Sequence, residues 1–172
     1  MARIPLPDGP LDEAYRAYSY ASHISSVAAR YSEVACNEVT FPVRLRELVR
    51  VRIGEINQCK PCMGGRVPDL EADGLSEDLM THTAEWATYP GYSDAERAAL
   101  EFTTLWATDH LNITDELVNR MLGFFGPETL MEIYWAIGAY LVNGRVSPVF
   151  DLSVSCQLVM KPGASAPVAA AV

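Results

Sequence analysis

The sequence predicts an all-α fold, a single-domain helical bundle, from three observations. Apolar residues recur mostly at helical spacing, and no alternating run is long or regular enough to favour a sheet. The length of 172 residues fits one domain. The composition, 49% hydrophobic and 20% charged, provides enough apolar material for a core and differs from that of a disordered chain.

Helix-start signals define the elements in the second half of the chain. Ser93 and Glu96 form the pattern of a capping box, Thr114 precedes two acidic residues, and Gly126-Pro127 places a proline at a first helical position. We therefore expect helices at about 94–108, 115–125 and 127–144, and shorter helical stretches within 12–36 and 76–87.

The two ends of the chain differ from its centre. Residues 1–10 are rich in proline and residues 161–172 are mostly small and lack periodicity. We therefore expect a mobile N-terminus at 1–10 and a mobile C-terminal tail at 156–172 around a helical domain at 11–155. The first residues lack the apolar core of a signal peptide, which favours a cytoplasmic protein. The most apolar segment, 130–142, is shorter than the ~20 residues of a membrane span and is interpreted as a buried helix.

The net charge of −9 and the pI near 4.7 argue against two classes of binding partner, nucleic acids and membranes. Most of an acidic surface repels a phosphate backbone and anionic lipids alike. We therefore expect neither a nucleic-acid partner nor a membrane partner.

A further helix is predicted to begin after Pro42, and it carries one carboxylate on an otherwise apolar strip. One apolar face runs from Leu45 to Ile56, and a second strip contains Glu47. Glu47 has two interpretations. It is either a surface ion pair with Arg44 or Arg50, or a partly buried acid whose pKa is raised by desolvation until it passes protons near neutral pH.

The motif Cys59-Lys60-Pro61-Cys62 is the strongest chemical signal. Asn57-Gln58 is a turn signal and Pro61 suits the first turn of a helix, where the helix N-terminus, Lys60 and Arg66 would lower a thiol pKa. Two cysteines at this spacing can close a disulfide within one helical turn, which favours redox chemistry. Half of a zinc site and inert packing are the alternatives, but zinc needs four ligands and no second pair or histidine cluster lies nearby.

Three other residues stand outside this motif. Cys36 and Cys156 each stand alone in the sequence. Because a lone cysteine is more often a small buried apolar residue than a reactive thiol, neither is placed in the site. Among the scattered histidines, His110 is the one that merits a test. No metal and no cofactor are expected.

The segment from Arg46-Glu47-Leu48 to Cys59-Lys60-Pro61-Cys62 resembles the carboxymuconolactone decarboxylase family, and in particular its alkylhydroperoxidase D-like (AhpD-like) branch. That branch carries a glutamate, eleven further residues and then Cys-x-x-Cys, which is the spacing from Glu47 to Cys59. The resemblance extends over roughly residues 10–155. It implies an AhpD-like helical bundle that forms trimer-based homo-oligomers and reduces hydroperoxides through two thiols.

The resemblance also implies roles for individual residues. Cys62 would attack the peroxide, Cys59 would resolve the product, Glu47 would exchange protons with the thiols, and an external dithiol or disulfide reductant protein would restore the enzyme. The branch carries a histidine where this chain has Arg66, after Met63-Gly64-Gly65. Arginine stays charged at neutral pH, so the implied role of Arg66 is electrostatic.

Two other functions remain open at this point. The lyase branch of the family, which decarboxylates or opens a lactone acid, has no need of paired cysteines. A non-catalytic helical oligomer that senses redox state through its disulfide is the second alternative. Along one straight helix Glu47 and Cys59 would lie ~18 Å apart, so a functional pair requires the chain to turn at Asn57-Gln58.

Overall fold

The computed structural model describes residues 1–153, and all regular structure within that range is helical. The helices are α1 Glu13–Tyr18, α2 Ser22–Asn37, α3 Val43–Ile56, α4 Lys60–Gly64, α5 Glu77–Thr81, α6 Asp94–Thr108 and α7 Asp115–Phe150. Short 3₁₀ turns occupy Ser19–Ala21, Thr83–Glu85 and His110–Asn112. The predicted all-α fold is confirmed.

The helix starts predicted from local signals are found where the signals lie. The Ser93 side chain accepts from the Glu96 N–H while the Glu96 carboxylate accepts from Ser93, so both halves of the capping box form at the start of α6. The Thr114 hydroxyl accepts from the N–H of Leu117 at the start of α7. These caps depend on neighbours in the chain, which is why the sequence alone predicts them.

The helix α7 contains a break and is longer than predicted. Gly126 adopts φ 70° and ψ 171°, a left-handed conformation that favours glycine, and Pro127 begins the second half. The two helices expected at 115–125 and 127–144 are therefore the two halves of α7. The second half continues to Phe150 and ends at Asp151, whose φ of 51° is also left-handed.

The central helix is α3, which packs against α4, α6 and α7. Nine of its fourteen residues are buried, so it is covered on both sides, as the two apolar strips predict. One core cluster lies between α2, α3, α6 and α7 and contains Val49, Ile53, Phe102, Ile133 and Ile137. A second cluster lies between α3, α5, α6 and the loop after α4, and contains Leu48, Val51, Val67, Met80 and Leu100.

The apolar segment at 130–142 is only half buried. Ile133 and Ile137 are fully buried, whereas Met131, Trp135 and Val142 are exposed. The interpretation of this segment as a buried helix is therefore wrong for its outer face, because only one side of α7 packs on α2, α3 and α6. Within the described part of the chain, no helix has the length and apolarity needed to cross a membrane.

The N-terminal residues contact the end of α7. The Arg3 N–H donates to the Phe150 carbonyl at 2.8 Å, and the amino group of Met1 lies 3.0 Å from an Asp151 carboxylate oxygen. The predicted mobility of residues 1–10 and the domain limits at 11 and 155 stay predictions. Cys156 and the tail at 156–172 lie outside the described residues.

Candidate active site

Cys59 and Cys62 are joined by a disulfide at the start of α4, with their Cα atoms 5.2 Å apart. Cys59 is the N-cap residue, and its Sγ accepts from the Cys62 N–H at 3.4 Å. Cys59 is buried, at 5% exposure, while Cys62 is partly exposed. A molecule from solvent therefore meets Cys62 more readily than Cys59.

The chain reverses between α3 and α4 at the predicted turn. Gln58 adopts φ 54°, and the Cys59 N–H donates to the Gly54 carbonyl at 2.8 Å, which folds the chain back on α3. The Asn57 side chain donates to the Leu141 carbonyl at 3.1 Å and accepts from Arg145 Nε at 3.0 Å. The turn is thereby attached to α7.

Gly54 allows α4 to lie directly on α3. A Cβ at this position would stand 2.9 Å from the Cys62 Cβ, which is closer than real Cβ contacts allow, and 3.2 Å from the Met63 nitrogen, which is tight. Gly54 lies on the strip of α3 that also carries Glu47. The same face of α3 therefore carries the buried carboxylate and supports the dithiol turn.

Glu47 is fully buried, and both of its carboxylate oxygens are bound by arginines. Oε1 accepts from Arg46 Nε at 3.1 Å, and Oε2 accepts from Arg50 Nε at 3.1 Å and Nη2 at 2.7 Å. Both arginines are buried as well. The interpretation of Glu47 as part of a surface ion pair is therefore wrong, because the pair is buried. Of the two partners named for it, Arg50 does bind Glu47, whereas Arg44 binds Glu96.

Arg50 connects Glu47 to the dithiol turn. Its Nη1 donates to the Cys62 carbonyl, and its Nη2 donates to the Gly65 carbonyl at 2.8 Å in addition to Glu47. Sequence reasoning named Arg50 only as a surface partner. The position three residues after Glu47 was a signal for the ion pair, but the two backbone contacts depend on the turn at residues 57–58.

Arg66, predicted to act electrostatically on the thiols, binds the carboxylate of Glu77. Its Nε and Nη2 each donate to Glu77 at 2.8 Å, and its Nη1 donates to the carbonyls of Met63 at 2.6 Å and Gly65 at 2.8 Å. The hydrogen bonds from Arg66 lower the pKa of Glu77. Arg66 therefore fixes the end of α4 on its outer side, and its electrostatic part in catalysis stays a prediction.

The two remaining candidates are a buried thiol, Cys36, and an exposed histidine, His110. Burial raises the pKa of the Cys36 thiol, which keeps it in the neutral form. Tyr140, also buried, donates to the Ala35 carbonyl at 2.7 Å. His110 is exposed in the turn between α6 and α7. Within residues 1–153, no group of three or more histidine, cysteine or acidic side chains is arranged to hold a metal ion.

Residues 26–105 match the family model of the carboxymuconolactone decarboxylase family. The matched segment contains Glu47, Cys59 and Cys62. Over this segment, which is a little under half of its length, the chain is similar to the carboxymuconolactone decarboxylase family. The resemblance predicted from the glutamate-to-cysteine spacing is thereby confirmed. The match runs from α2 into α6, so α7 lies beyond it.

Two curated proteins that are similar to this chain are uncharacterized. YnjA of Escherichia coli is 27% identical over 108 residues, which span 63% of this chain and 59% of YnjA. YdfG of Bacillus subtilis is 25% identical over 103 residues, which span 59% of this chain and 70% of YdfG. The chain thus spans about six tenths of the length of YnjA, and neither relative supplies an activity.

A solved structure has the same fold. The crystal structure of ATU0492 from Agrobacterium tumefaciens, a protein of unknown function and a candidate antioxidant defence protein AhpD, aligns with a TM-score of 0.70. The alignment covers 88% of this chain and 96% of that chain at 22% identity. The predicted AhpD-like helical fold is confirmed by this likeness.

Proposed function

We propose that this protein is a thiol-dependent peroxidase, a peroxiredoxin-type oxidoreductase that reduces hydroperoxides through Cys59 and Cys62. The observation that carries the proposal is the position of the dithiol turn. The turn closes a disulfide, leaves Cys62 partly exposed, and is tied by Arg50 to the buried carboxylate of Glu47. A lyase acting on a lactone acid has no need of this pair.

The reaction begins with the reduced protein. The Cys62 thiolate attacks the terminal peroxide oxygen, the O–O bond breaks, and one proton is taken up to release an alcohol and leave a sulfenic acid on Cys62. The Cys59 thiol then displaces hydroxide from this sulfur, which forms the disulfide and releases water. In sum, one hydroperoxide and two thiols give one alcohol, one water and one disulfide.

The order of attack follows from exposure. Cys62 is the partly exposed sulfur and Cys59 is buried behind it, so peroxide reaches Cys62 first and Cys59 acts as the resolving thiol. Glu47 is the acid that exchanges protons with the two thiols through water.

Turnover requires partners. An external dithiol or disulfide reductant protein supplies two electrons to the Cys59–Cys62 disulfide, a cycle suited to the reducing cytoplasm. We further propose that the protein forms homo-oligomers built on trimers, as the AhpD-like branch does. The exposed apolar side chains of α7, Met131, Trp135 and Val142, favour a protein partner on that face.

Thiol loss on addition of cumene hydroperoxide tests this function. The reduced wild-type protein should lose two thiols per chain rapidly, Cys62→Ser should lose almost none, and Glu47→Gln should react more slowly by ~10²-fold, the usual contribution of a positioned proton donor. Cys36→Ser is the matched control, because that thiol is buried and neutral. If the wild-type thiols react no faster than free dithiothreitol, the protein is not a peroxidase, and a redox-sensing oligomer becomes the better interpretation.

A further inference from the structure

The arginines around Glu47 leave the site with an excess of positive charge. The Arg46–Glu47–Arg50 triad holds two guanidinium groups against one carboxylate, and all three side chains are at least 96% buried, with exposures of 4%, 0% and 2%. Arg46 Nη2 has no hydrogen-bond partner within the described structure. Because a buried charge without a counter-charge is costly, this arrangement favours an anion beside the triad.

The surrounding groups do not supply that anion. The charged or titratable side chains on neighbouring elements include Arg52 with Glu55 on α3, Lys60 on α4, Arg66 with Glu77 after it, Cys36 on α2, and Tyr140 and Arg145 on α7. On α6, Glu96 is paired with Arg44 and Glu101 with Arg120. Each of these carboxylates is paired with its own arginine. Burial raises the pKa of both Cys36 and Tyr140, so both are neutral near pH 7. None of these named side chains brings a free negative charge to the triad.

The dithiol turn lies within reach of this positive charge. Arg50 Nη1 donates to the Cys62 carbonyl, and the Cys62 Cβ packs on Gly54, one helical turn beyond Arg50 on the same face of α3. In the disulfide form both sulfurs are uncharged. Reduction converts this neighbour into a group that can carry the negative charge that the triad lacks.

We propose that the buried triad stabilises the Cys62 thiolate of the reduced protein, with Arg46 and Arg50 as positioning residues for it. This inference rests on the proposed function, since it assigns the groups that activate the attacking thiol. It also gives Glu47 a second effect. Its carboxylate holds the arginines in place and at the same time offsets part of their charge, so the triad retains one net positive charge instead of two.

The pH dependence of Cys62 alkylation tests the proposal without any peroxide. In a Cys59→Ser background, the rate of iodoacetamide addition to the peptide that carries Cys62 is measured from pH 4 to 10 by mass spectrometry, which yields the thiol pKa. Arg50→Met should raise this pKa by ~1–2 units, the effect of removing a close opposite charge. Arg50→Lys, which keeps the charge, should raise it less. Arg52→Met is the matched control, since it removes a charge from the same helix that is paired with Glu55.

The direction in which Glu47→Gln changes the pKa of Cys62 is the most discriminating result. Removing the carboxylate leaves two positive charges, so the Cys62 pKa should fall even though peroxide turnover slows. A Cys62 pKa that rises in Glu47→Gln, or that rises no more in Arg50→Met than in Arg52→Met, overturns the proposal. If Arg50→Met does not fold by circular dichroism, Arg46→Met replaces it with the same expected direction. Failure of the peroxidase assay with these pKa shifts intact would refute the proposed function alone.

Discussion

The dithiol turn is held by an arginine on each side, and the two arginines occupy opposite environments. Arg50 is 2% exposed in its side chain and binds Glu47, which is fully buried, whereas Arg66 is 25% exposed and binds Glu77, which is 63% exposed. Both donate to the Gly65 carbonyl at 2.8 Å. The two arginines thus make hydrogen bonds of equal length to Gly65, but the ion pair of Arg50 is removed from water and that of Arg66 is not. This difference in desolvation decides what each ion pair contributes to stability.

Removing each carboxylate in turn should give the largest difference in stability between the buried side and the exposed side of the dithiol turn. Glu47→Ala leaves two buried guanidinium groups without a counter-charge and should lower the free energy of unfolding by ~3–5 kcal/mol. Glu77→Ala exposes Arg66 to water, which solvates it, so the loss should stay at ~0–1 kcal/mol. Urea denaturation of both variants in the oxidised form measures the difference. Equal losses would contradict the assignment of Glu47 to a desolvated network.

Two glycines offer a second comparison of the inner and outer sides. Gly54→Ala places a Cβ 2.9 Å from the Cys62 Cβ, where neither backbone can yield easily, and should cost ~1–3 kcal/mol. Gly64→Ala meets no atom within 4 Å and lies in a helix, so it should be neutral or stabilising by up to ~1 kcal/mol. Thermal unfolding of the two variants tests this. A stable Gly54→Ala protein would mean that α4 does not press on α3 at Cys62.

The two sides of the dithiol turn also show which structural features of this protein can be predicted from its sequence. The start of α6 at Ser93 and the turn at Asn57-Gln58 depend on residues adjacent in the chain, and both were predictable. The family spacing likewise identified Glu47 and the cysteines before their geometry was known. Local signals carried these predictions because a cap or a turn is decided within about four residues.

The partners of the two arginines could not be derived in this way. Arg50 meets the Cys62 and Gly65 carbonyls only after the chain has reversed, and Arg66 meets Glu77 across the loop that precedes α5. The helical period of α3 placed Glu47 on a second strip but did not decide which arginines face it. Tertiary packing therefore decides that Arg50, and not Arg44, binds Glu47 and also reaches the dithiol turn.

The smallest expected effect concerns pH on the outer side. The hydrogen bonds from Arg66 lower the pKa of Glu77 below its ordinary value of 4.5, so the pair stabilises the folded protein above that pH and loses its contribution as the pH falls through the lowered pKa. Comparing unfolding of wild type and Glu77→Gln from pH 7 to 3 should show a difference below ~1 kcal/mol that vanishes towards pH 3. In the Arg66→Met background the difference should be absent at every pH. High salt should weaken it in the wild type, because exposed charges are screened, and a salt-independent difference would instead place Glu77 in a buried network like that of Glu47.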